Sequence, residues 1–251
     1  MCNYMGYRVT RDQFIRLKQI EKELGVHAAL DSLLSGFQYA DWTIIKTTAD
    51  KKDIEIAKAH WEFIPWWIKN EDELKTARKQ GIPWLNATSE KLLSSKMFRD
   101  AALKRRCLVI ASWFFEWRHY QPEGEKKEIT YPYCVTVPEQ EYFYMAGIWQ
   151  PWTDKSTGET IDTFAIVTTK ANDLMEIVHN KKKRMPTILT EDLAYEWVLG
   201  DLSEDRIQEI ASFQLPSEYM EAHTIRKDFR TASNPTEAFE YAELPPLDHA
   251  I

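Results

Sequence analysis

The sequence predicts one α+β domain, strand-rich at its centre and helical on its flanks. Three observations carry this. At 251 residues, 44% of them hydrophobic, the chain has the size and apolar content of one large domain with a sizeable core. Between residues 107 and 169, apolar and aromatic runs recur between short polar turns, the pattern of strands. On either side stand capped stretches with helical spacing. There is no repeat, low-complexity tract or linker, so the domain is expected to span residues 1–251.

Taken in order, Thr10 to Gly25 predicts a helix. Thr10 and Gln13 form a capping box, Phe14, Leu17, Ile20 and Leu24 an apolar stripe, and Gly25 a stop. Residues 37–68 follow neither period and predict an irregular aromatic segment ending in WEFIPWWIKN. Asn70 with Glu73 caps a short polar helix that Gly81 and Pro83 end, and a further helical stretch lies near 94–105. CLVIASWFFEW (107–117) predicts a buried strand, and residues 119–130 a polar hairpin tip around Pro122 and Gly124. YPYCVTV and YFYMAGIW predict two strands, TDKSTGET a turn and TFAIVTT another strand. Helices are expected at 171–179, 191–199 and 204–212.

Composition narrows the function. A formal charge of −7 means that any nucleic acid must be met by a local basic patch, not by net charge. The ten tryptophans suit both packing and stacking on flat ligands. Cys2, Cys107 and Cys134 are sparse and odd in number, with no C-x-x-C and no zinc spacing, so neither a metal nor a cofactor is expected. No apolar run approaches about 20 residues, and the N-terminus shows no signal segment. The expected setting is the reducing cytoplasm, with Cys2 a free thiol and the sequon at Asn86 without meaning.

Four polar residues are candidates for chemistry. Cys2 stands directly behind the initiator methionine; trimming exposes a thiol and an amine on adjacent carbons, a pair that closes a ring on an aldehyde. The bland alternative is a tolerated terminal cysteine. Glu116, in WFFEWR, sits among aromatics where desolvation raises a carboxyl into the range of acid–base work; otherwise it is a strand-end glutamate paired with Arg118. His179 ends a predicted helix, as a proton carrier or as an exposed terminal histidine. Asn86, in WLNATSE, orients a carbonyl or caps a turn. Around them lie Trp66 and Trp67 and the cations Lys96, Arg99, Lys104, Arg105, Arg106 and Lys181–Arg184, a local basic patch or a solvated face.

In order, MC, WEFIPWW, NATSE, KRRCLVIASWFFEW, AGIW and TTKANDLMEIVHNKKKRMPTIL run from residue 2 to residue 189. This succession resembles the SOS-response-associated peptidase (SRAP) family. The resemblance implies a barrel-like, mainly antiparallel core flanked by helices. It also implies an abasic-site sensor in the DNA damage response that binds single-stranded DNA. Cys2, freed of Met1 by trimming or self-cleavage, would form a thiazolidine with the ring-opened abasic aldehyde. Asn86, Glu116 and His179 would serve that reaction, an activity of autopeptidase, crosslinking or lyase-like type. Trp66, Trp67, Lys96, Arg106, Thr168 and Arg184 would meet the DNA. Two positions depart from the family pattern, Tyr4 and Thr88, where arginine is usual. Two other readings stay open: a non-covalent reader of modified or damaged nucleic acid, and a thiol peptidase using Cys2 and His179.

Overall fold

The structure is a computed structural model that describes residues 2–8, 14–18, 20–23, 31–81, 83–138 and 140–247. The chain opens with strand β1 (Tyr4–Arg8), a hairpin of β2 (Phe14–Leu17) and β3 (Ile20–Glu23), and β4 (Asp31–Ser35). It continues through β5 (Asp41–Thr47), β6 (Ile54–Trp61), helix α1 (Glu71–Lys79), β7 (Asn86–Thr88), α2 (Ser89–Leu92) and α3 (Arg99–Lys104). The central strands are β8 (Arg106–Ala111), β9 (Trp113–Tyr120), β10 (Ile129–Thr136), β11 (Phe143–Thr153) and β12 (Thr160–Lys170). Then come α4 (Asp173–Val178), β13 (Arg184–Pro186), β14 (Ile188–Leu189), α5 (Glu191–Leu199), α6 (Glu204–Ala211) and β15 (Glu221–Thr224).

Five of these strands close a barrel. The order is β12–β6–β5–β8–β11, and β11 pairs back onto β12. Every pairing in the ring is antiparallel except β6 with β12. Closure removes free edges from the ring. β7 and β13 add to β12, and β14 adds to β11. A second sheet runs β15–β10–β9–β1–β4. The α+β class is as the sequence predicts, and the barrel-like, mainly antiparallel core is as the resemblance implies.

The buried run 107–117 is two strands, not one. β8 lies in the barrel and is buried along its whole length, whereas β9 belongs to the second sheet. The break is at Ser112, whose N–H donates to Gly6 O (2.8 Å) and whose hydroxyl donates to Glu141 O (2.6 Å). Continuous apolar character hides such a break, because both halves are buried. Beyond it, β9 alternates. Phe114 packs into the main core, while Trp113, Phe115 and Trp117 join Cys134, Ile225, Phe229 and Tyr4 in a separate cluster. That alternation turns Glu116 to the core side.

The expected helix over residues 10–25 is overturned where it can be seen. Residues 14–17 and 20–23 form an antiparallel hairpin with Leu17 opposite Ile20. Leu17 is fully buried, Lys18 turns with φ +53°, and Lys18 reaches Glu191 and Asp192 at the start of α5. These distant contacts, not local spacing, choose the hairpin. Thr10, Gln13, Leu24 and Gly25 lie outside the described residues. The irregular reading of 37–68 is also corrected, since it contains β5 and β6.

Locally determined elements match well. Asn70 Oδ1 accepts the Glu73 N–H at 2.9 Å to start α1, and Gly81 follows its end with φ +74°. Asn172, Thr190 and Ser203 cap α4, α5 and α6 in the same way. No described helix is long and apolar enough to cross a membrane.

Candidate functional site

Cys2 lies just before β1 and is fully buried, with its Sγ 3.8 Å from Tyr4 O. β1 is held between β4 and β9, which fixes the direction of the chain end. Asn86 secures the residue from the other side. It opens β7, in parallel register with Ile166 of β12, and its Nδ2 donates to Cys2 O (3.0 Å) and Asn3 Oδ1 (3.3 Å). Its Oδ1 is buried and accepts from no described residue. A buried amide oxygen without a donor is costly, and here it belongs to the side chain that holds Cys2.

Glu116 is 2% exposed on β9. Burial pushes its carboxyl up to about 7, although the positive charge of Lys182 pulls the other way. His179 caps α4, and its Nε2 stands 3.5 Å from Glu116 Oε2. Its Nδ1 is 2.8 Å from Arg184 O. A carbonyl only accepts, so Nδ1 carries the proton and a neutral ring presents a lone pair at Nε2. Burial, with the charge of Lys182 also acting, holds the imidazole down at about 4. Near pH 7 the ring is therefore neutral, and the carboxyl is about half protonated.

The thiol is different. Burial first, and then the negative charge of Glu116, push the Cys2 thiol far above its ordinary range. The thiol is therefore protonated until a base takes its proton. The same coupling places Glu116 within electrostatic reach of Cys2. Four residues from positions 2, 86, 116 and 179 are brought into one neighbourhood.

The family model for SOS response associated peptidase (SRAP) matches residues 8–232. The chain belongs to that family. Among SRAP relatives, the abasic site processing protein YoqW of Bacillus subtilis is 31% identical over 155 residues, covering 62% of each chain. The abasic site processing protein YedK of Escherichia coli is 24% identical over 84% of this chain and 86% of its own. A crystal structure of a Bacteroides thetaiotaomicron protein superposes with TM-score 0.69 at 34% identity, covering 82% of both chains. The alignment thus spans about 62% of the length of YoqW.

The other residues expected at the SRAP site fare unequally. Trp66 and Trp67 are 67% and 42% exposed and meet edge to face at 5.6 Å, so they form an open aromatic surface. The turn that carries them is anchored by the fully buried Glu62, whose Oε2 accepts from Arg78 Nε (2.9 Å) and Nη2 (2.6 Å). Lys96 is exposed. Arg184 is mostly enclosed: its Nη1 donates to Glu90 (2.6 Å) and its Nη2 to Thr168 O (2.6 Å). Only its Nε is buried without a described partner. Thr168, fully buried, is the seat of Arg184 and not a surface contact.

Arg106 is overturned as a DNA contact. It is 8% exposed, and its guanidinium donates to the carbonyls of Ala102, Leu103, Trp197 and Gly200 at 2.6–3.1 Å. It closes the C-terminal ends of α3 and α5. The basic strip is also less basic than its sequence, because Arg99 pairs with Glu204, Lys104 and Arg105 with Asp100, Lys181 with Glu128 and Lys183 with Glu176.

Sequence reasoning passed over two neighbours of the site. Glu90 lies inside the NATSE block, so its link to Arg184 had a local signal. Arg230 had none. Its guanidinium lies 5.1 Å over the ring of Tyr4, which packs edge-on against Trp117 at 5.2 Å. An arginine from the C-terminal segment thus stands beside the position where the family pattern leads one to expect arginine. Two surface depressions, about 530 Å³ beside Trp67 and α1 and about 330 Å³ beside His60 and Asp162, lie away from Cys2.

Proposed function

We propose that this protein recognises abasic sites in single-stranded DNA and crosslinks to them through Cys2 once Met1 is removed. The observation that carries the reading is the meeting of Cys2, Asn86, Glu116 and His179, with a buried carboxyl poised near neutral pH against a neutral imidazole. The names of the relatives, abasic site processing proteins, support the substrate.

The chemistry follows from the groups present. An abasic deoxyribose is mostly a closed hemiacetal. The Glu116 carboxyl gives a proton to the ring oxygen as its carboxylate form takes one from the anomeric hydroxyl, which frees the aldehyde. The Cys2 amine adds to the carbonyl carbon and water leaves, giving an imine. The thiol then loses its proton to the neighbouring base, its sulfur bonds to the imine carbon, and the nitrogen takes up a proton. The net change is aldehyde plus aminothiol to thiazolidine plus water. Both nucleophiles belong to one residue, so closure is intramolecular and has a high effective concentration. Keeping the thiol neutral until this step favours attack by the amine first. His179 relays the proton through its Nε2, and the orphan Oδ1 of Asn86 accepts from the freed amine.

Trp66 and Trp67 offer two exposed π-faces for bases, while Lys96, Lys182 and Arg230 supply exposed cations. These features equally serve a non-covalent reader, which is the second reading. A thiol peptidase fits less well, since the Nε2 of His179 faces Glu116, where a dyad would need it to face the thiol.

The test is direct. Protein whose mass confirms loss of Met1 is incubated with an oligonucleotide carrying one abasic site, heated in detergent and resolved on a denaturing gel. A retarded band is expected for wild type and none for Cys2→Ala. Identical band-free lanes would transfer the case to the non-covalent reader.

A further inference from the structure

The turn that carries His179 is closed by the Lys183 N–H on His179 O (2.8 Å), and His179 Nδ1 meets Arg184 O, but its three lysines leave it few side-chain holds on β9. It begins where α4 ends and leaves through Lys183, whose φ is +48°. Lys181, Lys182 and Lys183 are all exposed. Such a segment has little apolar contact to fix the direction of an imidazole. Asn180 is the half-buried exception.

The Asn180 side chain reads the backbone of one residue twice. Its Nδ2 donates to His119 O at 2.7 Å, and its Oδ1 accepts the His119 N–H at 3.0 Å. A side-chain amide offers the same donor and acceptor as a backbone peptide, so it docks on a strand edge as another strand would. β1 pairs with β9 at Trp113 and Phe114, and Asn180 occupies the same edge farther along, at His119. Glu116 lies three residues before His119 on that strand. One strand therefore carries both the carboxyl that His179 faces and the residue whose backbone Asn180 grips. Lys181 adds a third hold through Glu128, at 2.8 Å, on the far arm of the β9–β10 hairpin.

We propose that Asn180 is a positioning residue, whose amide clamp on the His119 backbone sets the distance and direction of the His179 imidazole from the Glu116 carboxyl. The inference rests on the reading of that pair as the proton-moving groups of the crosslinking reaction. Asn180 itself touches neither substrate nor reacting atom. Proton transfer needs hydrogen-bond reach, and a misplacement of about 1 Å can cost about 100-fold in rate.

A double-mutant cycle tests it. Single-turnover crosslinking rates are measured for Met1-free wild type, Asn180→Ala, His179→Ala and the double variant. Asn180→Ala is expected to slow the reaction about tenfold or more with His179 present, and less than twofold without it. Equal slowing in both backgrounds, or none in either, overturns the proposal. A second readout does not need the reaction. Imidazole ¹⁵N shifts should show His179 as the single Nδ1–H tautomer in wild type and a tautomer mixture in Asn180→Ala. An unchanged tautomer pattern also overturns the proposal. If Asn180→Ala does not fold, Asn180→Ser serves, with a smaller effect in the same direction expected. If wild type forms no crosslink, the functional reading fails, while the tautomer pattern still decides the role of Asn180.

Discussion

His179 Nε2 faces Glu116 Oε2 at 3.5 Å, and burial moves the two groups in opposite directions, the carboxyl up to about 7 and the imidazole down to about 4. Each therefore carries its neutral form into the range where an exposed counterpart would be charged. Between about 4 and about 7 the pair holds one titrating proton, on the carboxyl side, and gives it up near neutral pH.

This arrangement predicts an unusual pH profile of stability. The raised Glu116 value contributes stability that is full below the ordinary value of 4.5 and is lost as pH rises through about 7. The depressed His179 value acts oppositely, because the unfolded chain binds a proton below 6.5 that the folded ring refuses until about 4. Between about 4.5 and 6.5 each state of the pair holds one proton, so the two slopes cancel. Denaturant unfolding at stepped pH should show a flat contribution in wild type. Glu116→Gln should make stability rise with pH across this window, and His179→Ala should make it fall. Parallel profiles in all three proteins would contradict the assignment.

Loss of the acid should slow adduct formation without abolishing it. Glu116→Gln keeps the shape but cannot exchange a proton, and general acid–base groups contribute typically about 10²–10⁴-fold. Quenched time courses with abasic single-stranded DNA should show a reduction in this range, with the final adduct still stable to heat. Cys2→Ser should behave differently. It retains the amine, so it should yield an imine trappable with borohydride and no heat-stable band. A stable adduct with serine would remove the thiol from the mechanism.

Two cations of the same sequence strip, Lys96 and Arg106, should separate cleanly. Lys96→Ala should weaken DNA binding and flatten the log–log salt slope by about 0.7, the value for one phosphate on a single strand. Arg106→Ala should leave that slope unchanged and destabilise the fold by about 2–5 kcal/mol, since buried carbonyls of α3 and α5 lose their charged donor. Fluorescence anisotropy titrations at several salt concentrations, beside chemical unfolding, measure both. A change of slope for Arg106→Ala would return it to the DNA surface.

The tryptophan surface should matter for binding alone. Trp66 is 67% exposed, so its replacement by alanine should change stability little. Stacking of a base on an aromatic ring is worth about 1–3 kcal/mol, so affinity for single-stranded DNA should fall about 5- to 150-fold. An unaltered affinity would place the bases elsewhere.

Some of this molecule is written locally. The capped helices at Asn70, Asn172, Thr190 and Ser203 could be read directly, because a cap is a bond between residues three apart. The ordered blocks from MC to RMPTIL pointed to the family and to Cys2, Asn86, Glu116 and His179, because chemistry limits which side chains such positions accept. Other features had no local trace. The split of 107–117 at Ser112 depends on which sheet each half joins, and the 14–23 hairpin depends on the start of α5. Arg106 and Lys96 look alike in a charge count, yet burial against four carbonyls makes one structural, while exposure leaves the other open to DNA. The opposite pKa shifts of Glu116 and His179 are likewise a product of packing, since a pKa follows the dielectric and the charges around a group. Sequence alone determined which groups the protein carries; tertiary structure decided which are desolvated and which face one another, because burial and distance are set by contacts between segments far apart in the chain.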